Sequence, residues 1–420
     1  MSAVSTYHRR MAAAPNPPSI LTFEEARHAV EQHASRVQPG GRELVDLLAS
    51  LGRVLAEPVF ADRDFPPFRR AMRDGYALRA ADLAQLPATL QVIGEIKAGA
   101  SPQDMPREIR EGQAAAIMTG APAPNGADAV VMVEYTSLRG NEVTITRGIA
   151  SGDNIVPAGS EARKGQKLLD LGTRIDYRAI GIAASVGKPR LSVFHRPRVA
   201  IVATGDELVE VGEHPGPNEI RNSNSYSLAA QVEDAGGVPV LPGIARDEVG
   251  ELRAALHNAF QSDLVLLTGG VSMGKYDLVE QVLADIGAEF FFTGAQIQPG
   301  RPVVFGRAQE KYFFGLPGNP ISTMVTFELF ARPMLEALSG MRPAALHFVH
   351  ARLKSEVKTK TGLTRFLPGL LSGEFENSQV ELAGWHGSGD VAVMGRSNCY
   401  IVIPPNREKI AAGEWVAVLM

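Results

Sequence analysis

From Arg198 to Gly340 the chain repeats one pattern: a short apolar run, a turn, and then an amphipathic stretch. RVAIVATG, SYSLAAQVEDAGG, VPVLPGI, EVGELRAALHNAF, DLVLLTGG and YDLVEQVLADIG follow one another, and KYFFGLPGNP leads into the long amphipathic ISTMVTFELFARPMLEALSG. Strands alternating with helices at this spacing predict a doubly wound, mostly parallel sheet covered by helices on both faces. The near-continuous apolar strands VAIV and LVLL agree, since such strands are buried from both sides.

That pattern accounts for only part of the 420 residues; at roughly 150 residues per domain, two to four domains are expected. The boundaries read from texture are a flexible leader over 1–20, a discontinuous N-terminal helical and linker domain over 21–61 and 162–192, an inserted β-rich module over 62–161, the α/β domain over 193–341, and a C-terminal β domain over 346–420. In the first segment TFEE offers a capping box for the helix EEARHAVEQHA. RELVDLLASLGRVLAE, with Leu and Val at three- and four-residue spacing, predicts a second helix stopping near Pro58. LQVIGEI, AAAIMTG, AVVMVEY and NEVTITRG are short apolar runs broken by Gly, Pro and Asn, as in a β module. YRAIGIAASVG returns to helix, and the alternation after residue 346 fits a small β-barrel or sandwich.

Hydrophobic residues at 45% and charged residues at 21% argue against disorder and against membrane embedding. A net charge of -4 gives no basic field, so no nucleic-acid partner is expected and any anion site must be local. The single cysteine, Cys399, excludes a disulfide framework and multi-cysteine metal sites, and a reducing cytoplasm fits best. The first twenty residues lack the apolar core of a secretory signal. No run approaches the roughly 18 apolar residues of a spanning helix, so no membrane partner is expected.

In an open parallel sheet, ligands bind beyond the carboxyl ends of the strands where strand order reverses. Three strands here end in unusual loops, VAIVATGDEL, LVLLTGGVSMGKYD and YFFGLPGNPIS, all expected on one edge. Gly269, Gly270 and Gly274 allow positive φ and close approach of backbone amides to an anion, and Ser272 adds a hydroxyl donor. Gly318, Asn319 and Pro320 stand ahead of a helix whose free amides favour an oxyanion. Glu207, Asp247 and Asp277 are hard oxygen ligands suited to magnesium on a phosphate chain. One such loop alone reads as a tight turn and a lone aspartate as a helix cap; three together point to a phosphate-bearing ligand. Neither GxxxxGK[ST] nor GxGxxG occurs in these turns, and HExxH is absent.

TGDEL, IRNSNSYSL, GGVSMGKYD, QPGRPVVFG and LPGNPIS, with RDGYAL, AGASP and IMTGAPAPNGADAVVMVE nearer the N-terminus, resemble in order and spacing the signature series of the molybdopterin molybdenumtransferases, the MoeA and gephyrin E-domain family. The resemblance runs from about Thr22 to the C-terminus. It implies an α/β domain of the molybdopterin-binding type within a multidomain α/β plus β chain, working as a homodimer. The implied enzyme inserts molybdate into adenylylated molybdopterin and releases AMP with Mg2+, beside other molybdenum cofactor biosynthesis proteins. On this resemblance Glu207, Asp247 and Asp277 are the acidic site positions. Ser272, Asn319 and Ser322 lie around the pterin phosphate, Thr119 reaches the partner subunit's cleft, and Arg301, Arg365 and Ser388 form the molybdate pocket.

This chain departs from the family at several points. QPGRP stands where KPGKP is usual, so Gln298 replaces a lysine and removes one positive charge while Arg301 keeps the charge in a forked geometry, and molybdate affinity is the property this departure bears on. Arg69 stands where an aspartate is usual, and Gly159, Ser160 and Glu161 replace a GED triplet. Arg69 and Arg70 read equally well as a solvated pair. Two other functions share the scaffold: a non-catalytic gephyrin-like scaffold, which would have lost the acids and glycines of the sheet edge, and an enzyme of another pterin or nucleotide phosphate, which would not need the flanking modules. Cys399, in a strand-like run, reads as a core thiol.

Overall fold

The structure, a computed structural model, describes residues 20–270, 278–341 and 345–420. Asp277, Ser272 and Gly274 lie outside the described residues, as does the expected leader apart from Ile20.

The repeating segment folds into a seven-stranded mixed sheet. Val238–Val240, Arg198–Thr204, Leu264–Thr268 and Lys311–Leu316 run parallel in that spatial order, with Ile244–Ala245 beside the end of Arg198–Thr204. Val304–Ala308 and Glu289–Phe292 complete it as antiparallel strands. The chain leaves Arg198–Thr204, pairs on one side, then returns to pair on the other with Leu264–Thr268. Strand order therefore reverses between these two strands, and their carboxyl ends, Thr204 and Thr268, mark the crevice.

Alternation explains why the strands had to be apolar throughout. Val199, Ile201, Leu264 and Leu266 pack on one face with helix Asn224–Asp234 and the long helical segment from Pro320 to Leu338. Ala200, Val202, Val265 and Leu267 face the opposite core, under helices Val249–Ala259 and Leu278–Asp285. The first face also takes Phe23–Ala34, through Ala26, Val30 and Ala34. Thr22 caps that helix with the predicted box: the Glu25 amide donates to the Thr22 hydroxyl, and the Thr22 amide donates to the Glu25 carboxylate.

The second predicted helix is absent. Arg42–Asp46 is a strand antiparallel to Arg190–Phe194, followed by a single 3-10 turn at Leu48–Ser50. The leucines that suggested a buried helical face, Leu44, Leu48 and Leu51, are 54%, 80% and 60% exposed. A partner strand far along the chain satisfies this backbone instead, and no local periodicity reveals such a partner. Val59–Phe60 likewise pairs with Lys167–Leu169.

Between these pairings lies a second, six-stranded sheet with Gly75–Leu78 between Ala129–Met132 and Gln113–Ile117. Gly75 is required there, because a Cβ would sit 1.8 Å from the Val131 carbonyl oxygen. At the C-terminus, Phe348–Leu353, Thr364–Ser372, Gln379–Leu382, Cys399–Ile403 and Trp415–Leu419 close into a five-stranded barrel. Ile297–Gln298 extends it, pairing parallel with Thr364 and Arg365. That short pairing ties the barrel to the α/β layer at the QPGRP segment.

Candidate functional site

At the crevice lies a cavity of about 760 Å3, lined by Thr204, Glu207, Asn224, Gly269, Gly270 and Gly318 among others. The loops expected on one edge meet here. Gly269 and Gly270 have φ of 89° and 58°. A Cβ on Gly269 would lie 2.3 Å from the Thr204 carbonyl oxygen, and one on Gly270 would lie 2.6 Å from the Thr204 hydroxyl. Both φ and space therefore demand glycine.

Asn224, quoted in a motif but given no role from sequence, ties the loops together. Its amide nitrogen donates to the Thr268 hydroxyl at 3.0 Å and to the Gly318 carbonyl at 2.7 Å. Because Gly318 offers only an acceptor, this bond fixes which end of the side chain is nitrogen. The opposite oxygen, Asn224 Oδ1, and the Thr204 hydroxyl are buried in the cavity wall without a hydrogen-bond partner among the described residues.

Acids gather beside the first loop. The Asp247 amide donates to the Asp206 carboxylate at 3.2 Å, and Glu207 lines the cavity. Burial, then the charges of Asp206 and Glu207, hold the Asp247 carboxyl above the ordinary aspartate range. Asp206 is the acid that the sequence reading passed over, although it stands in the same TGDEL run. Among the described residues no three acids or histidines converge as a complete metal-ligand set.

A second cavity of about 450 Å3 adjoins the first and shares Pro302, Pro317 and Asn319 with it. Gln298, Arg301, Ser322, Trp385 and Ser388 line it. Asn319, at the N-terminus of the helical segment, donates from its amide to the Ser388 hydroxyl at 2.9 Å. The Ile321 amide donates to the Ser388 carbonyl at 3.1 Å, so one of the helix amides expected to be open to an anion is already used.

Arg365 is not in the lining. It is 6% exposed and sits behind Gln298, donating from Nε to Gln298 Oε1 at 2.8 Å and from Nη1 to the Leu363 carbonyl at 3.1 Å. Thr119 lines neither cavity; its amide and hydroxyl donate to Asp74 at 2.6 and 2.7 Å and hold that carboxyl below its usual range. Nor are Arg69 and Arg70 a solvated pair. Arg69 donates to the Pro124 and Ala127 carbonyls at 2.8 and 2.9 Å, and Arg70 pairs with Glu161 at 2.8 Å.

A switch-point crevice with glycine turns and acids, joined to a second cavity of about 450 Å3 beside a C-terminal barrel, defines a multidomain α/β protein with its largest clefts at the carboxyl edge of the sheet. Residues 200–337 match the family described as a probable molybdopterin binding domain, residues 21–187 the MoeA N-terminal region (domain I and II), and residues 350–420 the MoeA C-terminal region (domain IV). A molybdopterin molybdenumtransferase of Nostoc sp. is 36% identical over 90% of this chain and 88% of its own length. That of Haemophilus influenzae is 32% identical over 95% and 98%. The crystal structure of a molybdopterin biosynthesis MoeA protein from Pyrococcus horikoshii superposes with a TM-score of 0.78 at 30% identity, covering 96% of this chain and 100% of that one. The chain belongs to the molybdopterin molybdenumtransferase family, and it is a transferase of molybdenum cofactor biosynthesis.

Proposed function

We propose that this enzyme inserts molybdate into adenylylated molybdopterin and releases AMP. The observation that carries the reading is the pair of adjoining cavities. One is bounded by glycine turns and acids and large enough for a pterin phosphate; the other is smaller and rich in hydrogen-bond donors. Such adjacency would let an oxyanion sit next to a bound dithiolene, with catalysis consisting mainly of positioning and charge neutralisation. The Gly269–Gly270 turn brings backbone close to the phosphates, Asn224 holds the surrounding loops in register, and Arg301 with Ser388 orients the molybdate.

The donor set suits Mg2+. Asp206 and Glu207 stand beside Asp247, whose carboxyl is held above the ordinary range by burial first and then by their charges, and a hard divalent cation relieves that crowding. Glu207 and Asp247 would hold it together with Asp277. When bound, it supplies charge neutralisation at the phosphoanhydride. No protein nucleophile is needed; the Cys399 thiol is buried and pushed up to about 11, which leaves it unreactive. The proposed working form is a cytoplasmic homodimer in which Thr119 and Asp74 serve the partner's cleft, consistent with their absence from both cavities of their own chain. Among the described residues no helix is long and apolar enough to cross a membrane.

The test is AMP release from adenylylated molybdopterin, molybdate and Mg2+. Asp247→Asn is expected to lower the rate by roughly two orders of magnitude. It should leave the thermal stability of the metal-free protein unchanged or raised, because it removes a carboxylate that its neighbours disfavour. No AMP release by the unaltered enzyme, or an Asp247→Asn rate equal to it, overturns the proposal.

A further inference from the structure

We propose that Gln298 is an oxyanion-binding residue that couples the buried charge of Arg365 to the smaller cavity, so that the departure from lysine at this position changes the mode of anion binding instead of merely weakening it. The inference rests on the molybdate reading above and deepens it.

The starting observation is a buried cation without a counter-ion. Arg365 is 6% exposed, and among the described residues it makes no ion pair; it donates to the neutral Gln298 and Leu363 oxygens. Burial alone pulls its proton affinity down. An arginine taken out of water and left uncompensated is costly unless an anion approaches it when the protein works.

The route to that anion is Gln298. Parallel pairing of Ile297–Gln298 with Thr364 and Arg365 sets the two side chains side by side. Arg365 Nε–H can only donate, so the atom it meets at 2.8 Å must be the amide oxygen. With the oxygen committed to Arg365, the Gln298 NH2 group keeps both its hydrogens, and the exposed side chain lines the cavity beside Arg301 and Ser388. A guanidinium donating to one end of an amide polarises it, which strengthens what the other end donates. Gln298 therefore offers the oxyanion a directional, charge-reinforced N–H pair. Arg301, for which no ion pair exists among the described residues, supplies charge at the cavity wall. A lysine at 298 would have no oxygen for Arg365 Nε and would set a second cation against it.

The experiment measures molybdate binding to the full-length protein by calorimetry, at low and high salt, together with thermal unfolding. Gln298→Glu keeps the acceptor for Arg365 but presents no N–H to the cavity. Its melting temperature is expected to equal or exceed that of the unaltered protein, while molybdate affinity falls about tenfold or more at both salt levels. An affinity loss that high salt abolishes would mean simple charge repulsion and would overturn the proposal, as would unchanged affinity. Gln298→Met, which removes both donor and acceptor without adding charge, should lose both affinity and stability; full affinity in this variant also overturns it. Gln298→Lys should lower the melting temperature without tightening binding. If the unaltered protein fails to bind molybdate, the reading of the cavity itself falls; if it binds and Gln298→Glu matches it, only the role of Gln298 does.

Discussion

A single histidine shows how environment overrides a residue's ordinary chemistry. His33 stacks on Phe291 with ring centroids 3.8 Å apart and meets Phe305 and Tyr312 edge-on. Burial, then the charge of Arg36, pulls its proton affinity down, with Arg307 adding to this and Glu289 opposing it. The folded state thus prefers neutral imidazole, and the unfolded chain takes up the proton first. Its contribution to stability is complete above about pH 6.5 and is lost as pH falls below that value toward the lowered folded pKa. Chemical denaturation from about pH 8 to about pH 5.5 should show this loss, and His33→Phe, which cannot be protonated, should lack that part of the slope. Nothing in EEARHAVEQHA signalled this, because the aromatic rings around His33 come from residues 291–312. The site residues divide the same way. Glu207, Gly269 and Gly270 line the larger cavity from strand-end loops where glycine turns and acids have local reasons to be, whereas Asp247 lines neither cavity. The partners of Asn224 and Gln298 are other loops, so no local pattern marks their roles.

Elements were most legible where periodicity and burial agree. The strands Arg198–Thr204 and Leu264–Thr268 and the helices between them follow from apolar patterning alone. The long helical segment before Gly340 holds an irregularity that sequence places but does not describe. Pro333 has no N–H to give the Leu329 carbonyl, and the helix widens to a π turn over Phe327–Ala331. The freed carbonyl is met by Arg27 Nη1 at 2.7 Å, from the first helix. Arg27→Met keeps an apolar stem but removes this buried donor, and should cost about 1–3 kcal/mol in chemical denaturation. A loss within error would show that the Leu329 carbonyl finds another partner. The misread helix over 42–57 fails for the opposite reason: its three- and four-residue leucine spacing is real, but Leu44, Leu48 and Leu51 are exposed while Leu55 is buried, and Arg42–Asp46 pairs with Arg190–Phe194.

At the scale of the whole molecule, the proposed homodimer makes a prediction that no single chain can meet alone. If Thr119 serves the partner's cleft, Thr119→Val and Asp247→Asn chains are each inactive as homodimers, yet a mixed dimer contains one site with both groups intact. Co-expressed, differently tagged chains purified as the mixed dimer should recover activity at one of their two sites; no recovery would place Thr119 in its own chain's chemistry or in none. The sequence by itself determined the doubly wound sheet, its glycine turns and its acids, because strand burial, positive φ and helix capping are set by residues close in the chain. Tertiary structure alone decided that Arg42–Asp46 is a strand, that Arg365 lies outside the lining of the smaller cavity, and that Gln298 stands between Arg365 and that cavity. Each depends on hydrogen bonds between segments far apart in the chain, and the free energy of such pairings leaves no periodic mark on either segment.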